Sequence, residues 1–377
     1  MSMRDSPRHR TELGPVLAWP VRAIWHLTSQ CNLRCEYCLN DSGPEMLTGL
    51  DMPEARRLIS KLKHGGVVRV ALLGGEPLCH PGFADICTLL AKVGMFIELV
   101  TNGLLIDSAV IHHLLRLEHH LSGVQLSLHC HDRIPFYAKL VSDLVRRGIA
   151  VHALLVITAD EFGMVPDTYC EIAGAGATTF NLARIAEAGR AAGGQFSHRL
   201  VSVGPLAELI IQLESIRRAK GYETVPRFKH RGMVSHFFST TFGLSVMSHV
   251  CKAGLSEFAI WADGACSPCP FLSTDDKPLY TTSSLASLGS LDQVWQGPEF
   301  LKFREDKVWG PNRSVLATCL KCAHHAHGRC RPCLIGRSTC TGELRDARQY
   351  LHARGLLASR KGKVDLPAAS RRLFRSG

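Results

Sequence analysis

Cys31-Asn32-Leu33-Arg34-Cys35-Glu36-Tyr37-Cys38 places three thiols on one short stretch, spaced C-x3-C-x2-C. The spacing is too tight, and the number too odd, for a paired disulfide framework. Three thiolates on one loop can hold three irons of a [4Fe–4S] cube and leave the fourth iron open to a small molecule. A structural zinc site wants four ligands and closes itself.

The surroundings of this stretch are ordered by a second motif. Residues 21–27 are apolar and read as a first strand leading into the cysteines. A second β-rich run, residues 67–73, ends directly in Gly74-Gly75-Glu76-Pro77. Glycines there allow the main chain to approach a ligand closely and to take unusual dihedrals. With both motifs in register, the chain resembles the radical S-adenosylmethionine (radical SAM) superfamily, whose C-x3-C-x-aromatic-C signature puts Tyr37 at the aromatic position. The resemblance implies that Cys31, Cys35 and Cys38 ligate a catalytic [4Fe–4S] cluster whose open iron chelates SAM. It implies that the backbone of Gly74, Gly75, Glu76 and Pro77 binds the amino group of SAM. One electron then cleaves SAM to methionine and a 5′-deoxyadenosyl radical, which abstracts a hydrogen from the substrate.

Strand and helix signals alternate through the first half, giving an α/β class. Asp51-Met52-Pro53 can cap and open a helix whose Ala55, Leu58, Ile59 and Leu62 recur at helical spacing, with Gly65-Gly66 as its stop. Residues 83–93 read as a helix, 96–100 as a strand, and Asp107 as a further cap. Residues 124–128 alternate as a strand; Tyr137, Leu140, Val141 and Leu144 form a helical stripe; residues 149–157 and 178–182 complete six β/α units. The count matches the family's partial (β/α)6 TIM-like barrel, with active residues at the C-terminal strand ends. The cysteine loop, GGEP, Thr101-Asn102 and Ser127 fall at such ends. By resemblance, Ser127 occupies the fourth-strand position that reaches SAM's ribose or carboxylate; the alternative is a serine satisfied by its own loop. Asn181-Leu182-Ala183-Arg184 and Gly189-Arg190-Ala191 resemble the sixth-strand segment of radical SAM maturases, making Arg184 the candidate partner of SAM's carboxylate. His129-Cys130-His131 reads as buried, hydrogen-bonded histidines, with substrate-facing acid–base groups as the alternative and Cys130 as a runner-up hydrogen donor.

The second half changes character. Leu206, Leu209, Ile210, Leu213 and Ile216 mark one more helix, closed near Gly221, and residues 222–250 carry no clear period. Cysteines then crowd at 251, 266, 269, 319, 322, 330, 333 and 340. Cys251, Gly264 and Cys269 are spaced like the opening of the SPASM domain, the auxiliary-cluster extension of many radical SAM enzymes. Cys319, Cys322, Cys330, Cys333 and Cys340 keep the family's order but depart from it in two gaps. The family's interleaved pattern implies a first auxiliary cluster on Cys251, Cys269 and Cys333, with Cys266 a further candidate, and a second on Cys319, Cys322, Cys330 and Cys340. The alternative is a zinc knuckle from Cys319, Cys322, Cys330 and Cys333, with His324, His325 and His327 as spare ligands. Cys79, Cys87, Cys130 and Cys170 read as small core residues.

These readings divide the chain into an N-terminal arm (1–20), a barrel (21–200), a connecting helical segment (201–250), an auxiliary Fe–S domain (251–345) and a basic tail (346–377). Fifteen cysteines without a signal-peptide pattern point to reduced thiols, metal ligation and the cytoplasm. No apolar run approaches the ~20 residues that span a bilayer. The net charge is +11, but residues 353–377 hold seven Lys and Arg against one Asp, which reads as a solvated tail rather than a nucleic-acid surface. The expected substrate is a small natural-product intermediate, such as an amino sugar or nucleoside in antibiotic biosynthesis, which the enzyme dehydrogenates, epimerises or decarboxylates. The main alternative is a maturase that oxidises or cross-links a ribosomal peptide; the short arm before the first strand argues against a built-in leader-binding domain. A non-catalytic Fe–S scaffold is a third reading, which GGEP and the open-iron loop disfavour. A flavodoxin or ferredoxin is the implied electron donor.

Overall fold

The computed structural model describes residues 16–129, 133–186, 189–194, 196–230, 246–248, 251–272, 277–309 and 340–356. Cys130, His131, Cys319, Cys322, His324, His325, His327, Cys330 and Cys333 lie outside the described residues, as does the side chain of Cys340.

Six β/α units follow one another as the sequence pattern requires. The strands are β1 (Arg22–His26), β2 (Arg69–Leu73), β3 (Phe96–Thr101), β4 (Leu121–Leu128), β5 (Val151–Ile157) and β6 (Thr179–Arg184). The helices are α1 (Met52–His64), α2 (Phe83–Lys92), α3 (Ser108–Leu115), α4 (Ile134–Arg146), α5 (Val165–Gly174) and α6 (Val203–Lys220). In α1, Asp51 and Glu54 form a reciprocal capping box, and the buried residues are Ala55, Leu58, Ile59 and Leu62. Full burial of each large apolar side chain is worth about 1.5–3 kcal/mol, so this stripe holds the helix to the sheet. Asp107 caps α3 by accepting from the Val110 amide, and Gly221 ends α6 in the left-handed conformation at φ 66°.

All neighbouring strands from β1 to β6 pair in parallel. The sheet continues at both ends. Beyond β6 come β7 (Val225–His230) and β8 (Val246–Ser248), both parallel, from the stretch where the sequence shows no period. Beside β1 lies β9 (Glu257–Ile260), parallel, followed by antiparallel β10 (Cys266–Ser267). The ten strands run β10-β9-β1-β2-β3-β4-β5-β6-β7-β8 and do not close, which makes a partial barrel. The start of the cysteine-rich segment therefore extends the barrel's own sheet. A helix, Cys340–Ala353, packs on α6 with Ala347 and Leu351 buried, and Glu208 accepts from Tyr350 and Arg354.

Strand alternation gives the sheet two faces. Trp25, Leu72, Leu99, Leu126, Leu155 and Leu182 join the helix-side core. On the opposite, concave face, Arg22 donates to Glu98 (2.6 Å) and Glu257 (3.0 Å), and Arg69 donates to Glu98 (2.9 Å). This network ties β1, β2, β3 and β9 at their N-terminal ends. Burial alone would raise the Glu98 carboxyl, but Arg22 and Arg69 outweigh it and hold it below the usual range. A depressed carboxyl contributes stability above its unfolded pKa and loses it as pH falls through the folded one. Glu98→Gln should therefore lower unfolding stability by about 1–2 kcal/mol at pH 7, with the gap narrowing below about pH 4. Denaturant titration of wild type and variant at both pH values measures this; equal stability at pH 7 would show the network to be energetically idle.

Candidate active site

The loop between β1 and α1 carries Cys31, Cys35 and Cys38. Its ends are sewn together by backbone bonds: Ser29 N–H to the Leu47 carbonyl (2.9 Å) and Cys31 N–H to the Gly43 carbonyl (3.0 Å). Amides also point at sulfur. Leu33 N–H donates to Cys31 Sγ and Ser42 N–H to Cys38 Sγ, each at 3.4 Å. Cys35 Sγ lies 3.8 Å from His129 Nδ1, and the His129 ring stacks against Tyr37 with centroids 6.5 Å apart. None of the three cysteines forms a disulfide. Burial pushes the Cys31 thiol up to about 11, so ligation has to displace its proton.

GGEP docks directly on this loop. Gly75 N–H donates to the Thr28 carbonyl (2.7 Å) and Glu76 N–H to the Gln30 carbonyl (2.8 Å). A Cβ on Gly74, where φ is +150°, would stand 2.3 Å from the Thr28 carbonyl oxygen; one on Gly75 would stand 2.1 Å from that of Gln30. The sequence reading gave these glycines a ligand to approach. What they approach in the structure is the chain's own cysteine loop. Asn40 Nδ2 donates to the Gly74 carbonyl (2.9 Å) and closes the contact from the other side.

Glu76 is fully buried. Its carboxylate accepts from Thr101 Oγ1 (2.7 Å), the Asn102 amide (2.8 Å) and the Leu78 amide (3.2 Å). Burial pushes its pKa up, and these three donors oppose that shift. Asn102 Nδ2 in turn donates to Asn32 Oδ1 (2.7 Å) and lies 4.0 Å from Cys31 Sγ. Pro77 opens a short 3-10 turn. Thr101 and Asn102 thus join β3 to the loop through Glu76 and Asn32. Ser127 is half-buried on the concave face near the end of β4, and Arg184 ends β6.

The remaining described cysteines separate. Cys251 and Cys269 pack on one small cluster with Ala253, Leu255, Leu272, Tyr280 and Phe303. Cys266, two residues after Gly264 on β10, is buried in the main core instead, and burial pushes its thiol far up. Cys266 thus packs in a different cluster from Cys251 and Cys269. Two residues to which the sequence assigns no role of their own stand out. His26, at the end of β1, is buried and stacks on Trp261 at 4.5 Å, and neither ring nitrogen has a hydrogen-bond partner among the described residues. Burial, helped by Lys277, holds its pKa down to about 3. Arg190, beyond β6, makes several bonds to the cysteine loop.

Residues 25–155 match the family model of the radical SAM superfamily, and residues 251–323 match that of an iron–sulfur cluster-binding domain, SPASM. This chain is a radical SAM enzyme with a C-terminal SPASM domain. Its cofactors are SAM and [4Fe–4S] clusters, catalytic and auxiliary. A GTP 3′,8-cyclase of Chlorobaculum tepidum is 40% identical over 113 residues, 29% of this chain and 33% of that protein. A mycofactocin maturase, MftC, of Mycobacterium ulcerans is 25% identical over 321 residues, 81% of each chain. Among solved structures, Streptococcus suis SuiB bound to SAM superposes with a TM-score of 0.65 at 16% identity, over 88% of this chain and 75% of that one. SuiB bound to its precursor peptide SuiA superposes at 0.61 and 17% identity, over 77% and 67%. Among the described residues no helix is long and apolar enough to cross a membrane.

The radical SAM loop suits a cube in its donor set: three cysteine thiols outside any disulfide, with amides directed at two of the sulfurs. Among the described residues no three metal-ligating side chains yet converge on one point. The loop's backbone is held by its bonds to GGEP. Gly75→Ala tests how far that backbone depends on the docked glycines. The variant should retain less than half of the wild-type catalytic-cluster iron after reconstitution and unfold at lower temperature. Wild-type values for both would refute the docking argument.

Proposed function

We propose that this radical SAM enzyme is a maturase of a ribosomally made peptide. The observation that carries the reading is the extent of the MftC similarity, which spans 321 residues and so runs through both the barrel and the start of the SPASM domain. The GTP 3′,8-cyclase similarity, although higher in identity, stops after 113 residues and speaks to the SAM-binding part alone. SuiB, of the same fold, was solved with a precursor peptide. The small-metabolite expectation has no comparable support and gives way to the peptide reading. An open sheet also suits a chain-like substrate, since β8 and β10 leave the concave face unclosed.

In this reading Cys31, Cys35 and Cys38 hold the catalytic cluster. Gly74, Gly75, Glu76 and Pro77 shape the cradle beside it, and Ser127, near the end of β4, and Arg184, at the end of β6, are the candidate side-chain contacts to SAM. Cys251 and Cys269 belong to an auxiliary cluster. When bound, the catalytic cluster and SAM supply the 5′-deoxyadenosyl radical that abstracts a substrate hydrogen. The protein's part is orientation and the exclusion of water and stray hydrogen donors. A one-electron donor of flavodoxin or ferredoxin type serves it.

The test is isotopic. Reduced, reconstituted enzyme is incubated with SAM and candidate precursor peptides, each deuterated in turn at each residue type. Deuterium should appear in 5′-deoxyadenosine from one residue type, with a matching mass change in the peptide. Label transfer from a deuterated amino sugar or nucleoside, with none from the peptide, would reverse the reading.

A further inference from the structure

From the geometry beyond β6 we infer that Arg190 is a positioning residue that shapes the cluster loop before metal arrives. Its guanidinium Nη1 donates to the Cys35 carbonyl (2.8 Å), Nη2 to the Ser42 carbonyl, and Nε to Asp41 Oδ1 (2.7 Å). Its backbone N–H donates to the Cys38 carbonyl (2.9 Å). One residue thus binds the main chain at two of the three cluster cysteines and at the loop's return. A lysine has one ammonium and cannot span these acceptors; a planar fork can.

Two local features show that the contact is specific. Gly189 has φ +60°, and a Cβ there would stand 2.3 Å from the Leu39 carbonyl oxygen and 2.4 Å from that of Cys38. Only glycine lets this segment press so closely on the loop. Asp41 is the one non-glycine residue with positive φ (54°) among the described residues, a conformation that costs about 1–2 kcal/mol. The Arg190 ion pair holds it there. A second arginine on the same segment, Arg199, donates to Glu36 (2.9 Å) and Asp160 (2.7 Å). The β6–α6 connection therefore straps the half of the loop that carries Cys35 and Cys38. The clamp fixes where two thiols leave the backbone.

The inference rests on Cys35 and Cys38 as iron ligands, so Cys35→Ala is run in parallel. Wild type, Arg190→Lys, Arg190→Ala and Cys35→Ala are reconstituted anaerobically. Two properties are read: the rate at which a chelator removes iron, and the part of the reduced protein's EPR spectrum that changes on adding SAM. That SAM-responsive part belongs to the open-iron cluster, whatever the auxiliary clusters contribute. Circular dichroism of the apoproteins checks folding, and Arg190→Lys keeps bulk and charge should Arg190→Ala not fold. The expected result is at least tenfold faster iron loss and a broadened or diminished SAM-responsive signal for Arg190→Ala. Arg190→Lys should fall between it and wild type, and Cys35→Ala should show no SAM-responsive signal. Wild-type release rates and spectra in both arginine variants would overturn the clamp. A full SAM-responsive signal in Cys35→Ala would instead overturn the ligand assignment beneath it.

Discussion

The structure hangs on one backbone contact. The loop after β1 and the turn after β2 lie so close that neither Gly74 nor Gly75 has room for a side chain. Two amide–carbonyl bonds, Gly75 to Thr28 and Glu76 to Gln30, hold them. Such bonds are worth about 0.5–1.5 kcal/mol each, but a clash near 2 Å cannot be relaxed without moving one of the two loops. The cysteine loop therefore takes its place from GGEP. GGEP takes its own from Glu76, whose buried carboxylate reaches Thr101 and Asn102 on β3. Asn102 returns to Asn32 in the loop. Three consecutive strand ends are thus linked in a closed circuit around the site.

The far side of the loop is held by a different device. Arg190 and Arg199 reach it from beyond β6, across the mouth of the open sheet. The sheet supports both anchorages: a cross-strand charge network ties β1, β2, β3 and β9 at one end, and the functional loops leave from the other. Because β9 pairs with β1, the SPASM segment enters the same sheet whose first strand leads into the cysteines. Trp261 follows β9 and stacks on His26, only a few positions ahead of Cys31. The auxiliary and catalytic regions consequently share a rigid element rather than a tether.

Much of this could be read from the sequence where the signal is local. The α1 stripe of Ala55, Leu58, Ile59 and Leu62, the Asp107 cap and the Gly221 stop follow from periodicity and capping chemistry, and all appear as expected. The signature motifs likewise sit where their strands end. Other features depend on partners far away in the chain. β8 and β10 are short strands, and β7 and β8 lie in a stretch without period, so pairing rather than pattern makes them strands. β9 finds β1 across more than two hundred residues. The glycines announced close approach without naming what they approach. Arg190 was visible only as part of a family-like segment, and its bonds go to carbonyls, which no side-chain pattern records. Cys266 is a further candidate beside Cys251 and Cys269 by the family's pattern; its side chain packs in the main core and theirs on a smaller cluster.

The central claim is that the loop of Cys31, Cys35 and Cys38 carries the cluster that cleaves SAM. Release of 5′-deoxyadenosine from SAM by dithionite-reduced, reconstituted protein tests it directly, with wild type compared against the variant in which all three cysteines are alanine and with iron measured in both. The account predicts steady release by wild type, none by the variant, and a difference of about four irons per chain, with auxiliary iron retained. Undiminished release by the triple variant would contradict it.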